Sequence, residues 1–303
     1  MGERKAGVAP ETVRVLVVGA SGLVGSALLR AIPQLDADAV VIGTYRSRPA
    51  PGLLQLDAAN TRAVRDILAD TRPDVILFPA AMPDVEWCET HEAEARQANL
   101  VPLRAVLHGS RRPVIAFSSD YVFDGAAGPY AEEARRNPLS VYGHIKADLE
   151  DETLAAGGAV VRTTGVFGIE LGQGRNFVVR LVASLREHKA VSAPIDQIAT
   201  PTYSDDLAAA TYRIALARGT GVWHVGGPEM LSRFDLALAV GEAFELDAST
   251  VKGVRTSELG QKAARPLTGG LRNARYVREF GAEPVRSVRD ALREMRASMT
   301  VRT

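Results

Sequence analysis

Two side chains that could together transfer a proton lie four residues apart, Tyr142 and Lys146. In a helix this spacing places the phenol and the ammonium on one face. A free tyrosine has a pKa of about 10 and transfers protons poorly at neutral pH. A nearby ammonium stabilises the phenolate and lowers that pKa, so the pair predicts an acid–base group tuned by a lysine. The plainer alternative is a surface tyrosine beside a solvated lysine.

Two hydroxyl side chains, Ser118 and Ser119, precede this pair at the end of the apolar run 113–117. The run predicts a buried strand, and α/β proteins place their sites at the carboxyl ends of such strands. A hydroxyl there can donate a hydrogen bond to a substrate carbonyl and align the tyrosine proton. For Ser118 the alternative is a strand-end hydroxyl that is bonded to the backbone.

A turn with the spacing Gly-x-x-Gly-x-x-Gly, formed by Gly19, Gly22 and Gly25, joins the first predicted strand to the first predicted helix. Gly19 permits the tight turn, Gly22 lets the backbone approach a pyrophosphate, and Gly25 lets the helix pack closely on the sheet. The free N–H groups of the helix N-terminus also favour a phosphate. The strand–turn–helix context is the one such a motif requires, so we expect a dinucleotide site.

The end of the second predicted strand indicates which dinucleotide binds. A carboxylate there would bind the ribose hydroxyls of NAD. This chain has instead Arg46 and Arg48, and no acid, in the stretch that follows Thr44. Guanidinium groups match a 2′-phosphate by charge-assisted hydrogen bonds, so NADP(H) is favoured. The alternative is that both arginines are solvated loop residues and that NAD binds.

Apolar runs alternate with amphipathic segments along the first half of the chain. This alternation is typical of a parallel sheet covered by helices on both faces, and right-handed crossovers then give a doubly wound α/β fold. Pro33 is expected to stop the first helix. The predicted strands cover 13–18, 39–44, 74–78, 113–117 and 159–162, and the predicted helices cover 23–32, 60–70, 91–107 and 141–156.

The pattern loosens after Gly165 and predicts a division of the chain. We expect a dinucleotide-binding domain over 13–165, with 191–222 returning to it. The remaining segments, 166–190 and 223–303, are expected to form a smaller, mostly helical substrate-binding region.

Composition excludes several classes of function. Among the 303 residues, 36 basic side chains balance 36 acidic ones, which removes the electrostatic case for nucleic-acid binding. The single cysteine, Cys88, forbids an intrachain disulfide, and the five scattered histidines show no acidic partner at ligand spacing, so no metal site is expected. The chain has no apolar run of about 18 residues and a polar start, so we expect no membrane span, no secretory signal and a cytoplasmic protein.

The motifs together resemble a known superfamily. The glycine spacing resembles that of the extended short-chain dehydrogenases/reductases. The run Phe117–Gly125 resembles the Ser-Thr-Asp-Tyr-Val-Phe segment of dTDP-4-dehydrorhamnose reductases, and the resemblance extends over about 13–271. It implies a Rossmann fold, NADP(H), and reduction of the 4-keto group of a nucleotide-linked deoxysugar. It is compatible with a homodimer but does not determine the oligomeric state.

The resemblance also implies roles for individual residues. The catalytic group is Ser119, with Ser118 as its rival, together with Tyr142 and Lys146. Cofactor contacts fall on Gly19, Ser21, Gly22, Leu23, Val24, Tyr45, Arg46, Asp57, Ala80, Ala81, Tyr142 and Lys146. Substrate contacts fall on Val85, Trp87, Ser119, Asp120, Tyr121, Gly165, Asn176 and Arg265, with 85–89 forming a loop.

Three positions depart from the family pattern. Pro79 replaces the usual asparagine before Ala80, and Gly269 replaces a serine in the Arg-Pro-x-x-Ser-x-Leu motif that begins at Arg265. Gly165 replaces a tryptophan that faces the sugar in rhamnose-forming enzymes, which predicts a different sugar.

The alternatives are an epimerase or dehydratase of the same superfamily, or a non-catalytic NADP-binding subunit like the methionine adenosyltransferase β subunit. Tyr121, where a dehydratase carries a glutamate, argues against dehydration.

Overall fold

The structure is a computed structural model that describes residues 12–172 and 174–300. The polar start of the chain, which we expect to carry no secretory signal, lies outside these ranges. None of the helices within them is long and apolar enough to cross a membrane.

A parallel sheet of seven strands forms the centre of the described chain, and its strand order is β3-β2-β1-β4-β5-β6-β9. The order runs outward from β1 in both directions, which is the doubly wound arrangement expected from the sequence. The strands of the described ranges are β1 (Arg14–Val18), β2 (Val40–Tyr45), β3 (Leu54–Gln55), β4 (Val75–Phe78), β5 (Val114–Ser119), β6 (Ala159–Thr163), β7 (Val191–Pro194), β8 (Ile198–Ala199), β9 (Gly221–His224), β10 (Leu231–Ser232) and β11 (Val251–Val254).

Two expectations about the helices are wrong. The first helix continues through Pro33 to Leu35, and Asp36 still donates to the Ile32 carbonyl at 2.9 Å, so the proline weakens the last turn without ending it. The segment expected as a loop after β4 is a short helix, which Asp84 caps by accepting from the Trp87 N–H at 2.9 Å. The helices are α1 (Leu23–Leu35), α2 (Thr61–Thr71), α3 (Val85–Thr90), α4 (Glu92–Gly109), α5 (Val141–Ala155), α6 (Phe177–Arg186), α7 (Ser204–Leu216), α8 (Arg233–Phe244), α9 (Ala274–Phe280) and α10 (Val288–Thr300).

Alternate residues of the central strands are buried on opposite faces of the sheet. Val15 and Val17 pack into the cluster that contains α1 and α7, whereas Leu16 and Val18 pack into the cluster that contains α2, α4 and α5. The sheet is therefore covered by helices on both faces, and the carboxyl ends of β1, β4 and β5 meet at one edge.

A smaller region lies beyond the sheet and has its own core. There β7 pairs with β11 and β8 with β10, and a third apolar cluster joins α6, α8 and α10. Two details differ from the expected division: Gly221–His224 forms the edge strand β9 beside β6, and Val191–Pro194 pairs within the smaller region. Neither strand has a strong period or motif, so its partner is set by tertiary packing.

Candidate active site

The glycine turn between β1 and α1 has a backbone that excludes side chains. Gly19 has a φ of +95°, and a Cβ there would lie 2.8 Å from the Cα of Ala80. A Cβ on Gly25 would collide with the Gly19 carbonyl. Gly22 is the N-cap of α1 and provides no side-chain cap, so the first N–H groups of Leu23 and its neighbours are available to a ligand.

A cavity opens between this turn and the carboxyl ends of β2 and β4. Tyr45, Arg46 and Arg48 line it, and within the described residues neither guanidinium has a hydrogen bond or an ion pair. Both arginines are exposed, so they can reach a ligand phosphate. The other lining residues include Gly19, Ser21, Gly22, Pro79, Ala80 and Ala81.

This cavity fits an adenine dinucleotide that carries a 2′-phosphate. The turn around Gly22 offers backbone donors for a pyrophosphate, and Arg46 and Arg48 offer positive charge where no carboxylate lines the wall. Asp57 does not line the cavity. Its exposed carboxylate accepts from the Ala59 N–H at 3.1 Å, and its neighbours Leu56 and Ala58 line the wall instead.

Tyr142 and Lys146 lie on one face of α5, against the end of β5. Lys146 is buried, and its Nζ donates to the Phe117 carbonyl oxygen at 2.9 Å. The same Nζ lies 5.6 Å from the centre of the Tyr142 ring. Ser140 begins the helix by accepting from the Gly143 N–H at 3.2 Å, which fixes where the pair faces.

The two serines at the end of β5 have different surroundings. Ser119 lies beside the phenol of Tyr142, and its hydroxyl acts to lower the pKa of that phenol. Ser118 is buried on the other side of the strand, where its hydroxyl donates to the Glu150 carboxylate at 2.6 Å. The alternating faces of a strand therefore direct Ser119, and not Ser118, toward the tyrosine.

The protonation of this pair differs from the simple expectation. Burial raises the pKa of Tyr142 above its ordinary value, and the neighbouring Tyr121, Cys88 and Asp120 raise it further. Burial lowers the pKa of Lys146 to about 8, while the Glu150 carboxylate acts in the opposite direction. The phenol is thus held protonated at neutral pH, which suits a group that must donate a proton.

Asp120 is buried directly behind Ser119 and is bonded to the protein on all sides. Its carboxylate accepts from the Thr164 hydroxyl at 2.6 Å, from the Gly270 N–H at 3.3 Å and from the Ser119 hydroxyl at 3.1 Å. Burial raises the pKa of Asp120. A Cβ on Gly269 would lie 2.6 Å from its Oδ2, so the position that carries serine in the family pattern has no room for one here.

Tyr121 connects the tyrosine site to the smaller region. Its ring meets that of Tyr142 edge-on at 5.5 Å, and its hydroxyl accepts from Arg265 at 2.9 Å. Arg265 also forms an ion pair of 2.5 Å with Glu86 of α3. Helix α3 thereby places Val85 and Trp87 at the same side of the site, although the Trp87 ring stacks on His91 with 5.0 Å between centroids.

Asn176 and Gly165, which are also expected to contact the substrate, have local structural roles. The Asn176 amide donates to the Gly168 carbonyl at 2.9 Å, and its oxygen accepts from the Val179 N–H at 3.3 Å as the cap of α6. Gly165 has a φ of +53°, a left-handed conformation that favours glycine. A tryptophan at position 165 would therefore be strained in this backbone conformation.

Arg233, at the start of α8, is a site residue that the sequence did not indicate. Within the described residues its guanidinium has no ion pair and stacks 5.2 Å from the centre of the Phe177 ring. Burial lowers its pKa, Arg265 and Arg180 lower it further, and Tyr121 and Asp120 act in the opposite direction. Arg265 contacts Tyr121 directly, and Arg233 lies close enough to Arg265 and Arg180 for their charges to interact, an arrangement that favours an anionic ligand. No motif marks Arg233, and only its placement in the fold reveals it.

In the described ranges no group of three or more His, Cys, Asp and Glu side chains could hold a metal ion. Cys88 is buried, and burial raises the pKa of its thiol, so it is a poor nucleophile.

Known proteins are similar to this chain over nearly its whole length. A family model described as the RmlD substrate binding domain matches residues 13–301. A probable dTDP-4,6-dihydroxy-2-methyloxan-3-one 4-ketoreductase from Streptomyces antibioticus is 31% identical, over 93% of this chain and 94% of that protein. The methionine adenosyltransferase 2 subunit beta of Danio rerio is also 31% identical, over 86% and 83%. The crystal structure of a dTDP-4-dehydrorhamnose reductase from Bacillus anthracis in complex with NADP has a TM-score of 0.85 at 25% identity, and the match covers 96% of this chain and 100% of that one.

Proposed function

Since the chain belongs to the RmlD substrate-binding-domain family and is an NADP-dependent oxidoreductase of the short-chain dehydrogenase/reductase type, we propose that it reduces the 4-keto group of a nucleotide-linked deoxysugar. The observation that carries this proposal is the grouping of Ser119, Tyr142 and Lys146 at the carboxyl end of β5, one strand from the cavity at the glycine turn. Such a group can donate a proton to a carbonyl oxygen, which a reductase requires.

The cofactor would lie along the glycine turn. Its pyrophosphate would meet the N–H groups at Gly22 and Leu23, and its 2′-phosphate would meet Arg46 and Arg48. NADPH, when bound, supplies a hydride to the carbonyl carbon of the sugar. Tyr45, Ala80, Ala81 and Ser21 would form the walls around it, and Val24 follows in the first turn of α1.

The chain's own side chains then complete the reduction. Tyr142 donates its phenolic proton to the carbonyl oxygen as negative charge develops there. Ser119 donates a hydrogen bond to the same oxygen and holds the phenol in line. Lys146 remains beside the phenol as a positive charge, which stabilises the phenolate left after the transfer.

The substrate would reach this site from the smaller region. We place its diphosphate at Arg233, because within the described residues this guanidinium has no ion pair, and the nearby Arg265 and Arg180 repel it. The sugar would lie over Gly165, between Tyr121 and Trp87. Since no aromatic ring extends from position 165, we propose a 4-keto sugar other than the rhamnose precursor. The protein would act in the cytoplasm, and size-exclusion chromatography would test whether it is a homodimer.

The test is an assay of NADPH oxidation with a panel of dTDP- and UDP-linked 4-keto sugars. We expect turnover with at least one member and a loss of about 10²–10⁴-fold in kcat for Tyr142→Phe, with nearly normal NADPH binding. The matched control is Tyr212→Phe. That variant removes another buried hydroxyl, the phenol of Tyr212 on α7, which donates to Asp36 at 2.6 Å. It should leave kcat unchanged.

Three results would count against the proposal. Unchanged turnover in Tyr142→Phe would exclude the phenol as the acid. Preference for the rhamnose precursor over the rest of the panel would refute the inference from Gly165. Tight NADPH binding without turnover of any sugar would favour the second candidate, a regulatory subunit. The similarity to methionine adenosyltransferase 2 subunit beta supports this candidate.

A further inference from the structure

A buried carboxylate lies one helical turn beyond Lys146. Glu150 is fully buried, and its two oxygens accept four hydrogen bonds from three side chains. Ser118 of β5 donates at 2.6 Å, and Arg162 of β6 donates twice at 2.7 Å. Arg136, which precedes α5, donates at 3.2 Å. Glu150 therefore ties the helix that carries the tyrosine and lysine to two central strands.

The position of Ser118 makes this network part of the active-site support. Ser118 lies between Phe117, whose carbonyl accepts from Lys146, and Ser119, whose hydroxyl faces Tyr142. The hydrogen bond that Ser118 donates to Glu150 thus anchors the middle residue of the segment 117–119. This segment carries both the lysine acceptor and the serine donor. A shift of Ser118 would move the lysine acceptor and the serine donor together.

The charges around Lys146 leave Glu150 as its compensating anion. Lys146 is faced by Tyr142 and Glu150 from its own helix, by Cys88 from α3, and by the uncharged Phe117 carbonyl from β5. Burial raises the pKa values of the phenol and of the thiol, so both are neutral. Glu150 is the one formal negative charge in this set.

Two guanidiniums share the negative charge of Glu150. Arg162 pairs with it closely, while Arg136 is partly exposed and pairs at 3.2 Å. His224 on β9 adds no charge, because burial and Arg162 lower its pKa to about 3. Removing the carboxylate charge would leave the buried Arg162 cation without its partner, close to the lysine.

We propose that Glu150 is the positioning residue for the catalytic pair, holding Lys146 as a cation against β5 and holding Ser119 toward Tyr142. The inference rests on the proposed function only for its effect on turnover. Its effect on the lysine can be measured in the protein alone, without cofactor or substrate.

The experiment follows the lysine directly. The chain has five lysines, so ¹³C labelling at the lysine Cε gives a simple spectrum in which a Lys146→Met variant identifies the Lys146 signal. In Glu150→Gln we expect the titration midpoint of Lys146 to fall by about one pH unit or more, since a nearby opposite charge is lost. The alkaline limb of kcat/KM, and the pH at which NADPH affinity falls, should move down by the same amount.

Two further variants complete the design. Glu152→Gln makes the same chemical change on the same helix at a partly exposed ion pair with Arg104, and should leave the Lys146 titration unchanged. Arg136→Gln removes a cation from Glu150 at a partly exposed position and should raise the midpoint by about 0.2–0.7 pH unit.

The outcomes separate positioning from simple structural support. A folded Glu150→Gln protein with an unmoved Lys146 titration would overturn the proposal, even if its Tm were lower. If Glu150→Gln does not fold, the Arg136→Gln arm decides, and the absence of an upward shift would overturn it. If the lysine shifts as expected while every sugar of the panel is refused, the positioning role stands and the proposed function fails.

Discussion

Replacing Arg233 by methionine tests whether the converging arginines bind the diphosphate of a nucleotide sugar. Methionine keeps an unbranched apolar stem of similar length and removes the guanidinium. Within the described residues that group has no ion pair, and its one aromatic contact is with Phe177. The free protein therefore loses little, and relief of repulsion from Arg265 and Arg180 offsets the lost contact.

The magnitude follows from the number of charged hydrogen bonds at stake. A hydrogen bond to a charged group contributes about 1.5–3 kcal/mol, so the loss of one from Arg233 should raise KM for the substrate roughly 10- to 150-fold. The kcat should change much less, because the reacting carbonyl lies at Tyr142. The Tm of the cofactor-free protein should not fall.

The assay compares ligands with and without phosphates. We would measure KM for the best 4-keto sugar of the panel and the inhibition constants of dTDP and thymidine. Arg213→Gln is the matched control, because this guanidinium also stacks on an aromatic ring, Phe280, at 4.9 Å and away from the site. Equal weakening of dTDP and thymidine, or a lower Tm with unchanged KM, would show that Arg233 is a packing residue and refute the reasoning.

Two other predictions concern the cofactor and the loop behind Asp120. In Arg46→Ala/Arg48→Ala the preference for NADPH over NADH should fall at least about tenfold, measured by fluorescence titration of each nucleotide; an unmodified protein that binds NADH more tightly would contradict it. Gly269→Ser should lower the free energy of unfolding by about 1–3 kcal/mol, because its Cβ would lie 2.6 Å from Asp120 Oδ2. Urea denaturation measures this, and an unchanged midpoint would mean that the loop yields without cost.

The fold and the central chemistry could be predicted from local sequence patterns. The turn at Gly19–Gly25 and the spacing of Tyr142 and Lys146 are short-range features, and their geometry follows once a strand or helix is assigned. The choice between Ser118 and Ser119 needed the strand faces, and those depend on which helix packs against β5. The raised pKa of Tyr142 could not be foreseen either, because burial is a property of the packed molecule.

The remaining site residues depend on contacts between distant segments. Arg233 is far in sequence from every other residue of the site and begins a largely apolar helix, so nothing local distinguishes it from a solvated arginine at a helix start. Glu150 looks like one of several acids on α5 until its partners on β5 and β6 are known. Asp57 shows the reverse case, since a residue matched by its motif position bonds to its own loop and not to the cavity wall.

The edge strand β9 has a consequence for how the chain is made. Ribosomes release the N-terminal half first, and until Gly221–His224 has emerged the fully buried strand β6 lacks its outer partner. Helix α1 lacks α7 over the same interval. The nascent nucleotide-binding half would therefore display an unpaired apolar edge, a ready template for association with other chains. Products that terminate between residues 165 and 220 should aggregate instead of folding into a small NADP-binding unit, which makes full-length synthesis a condition for solubility as well as for activity.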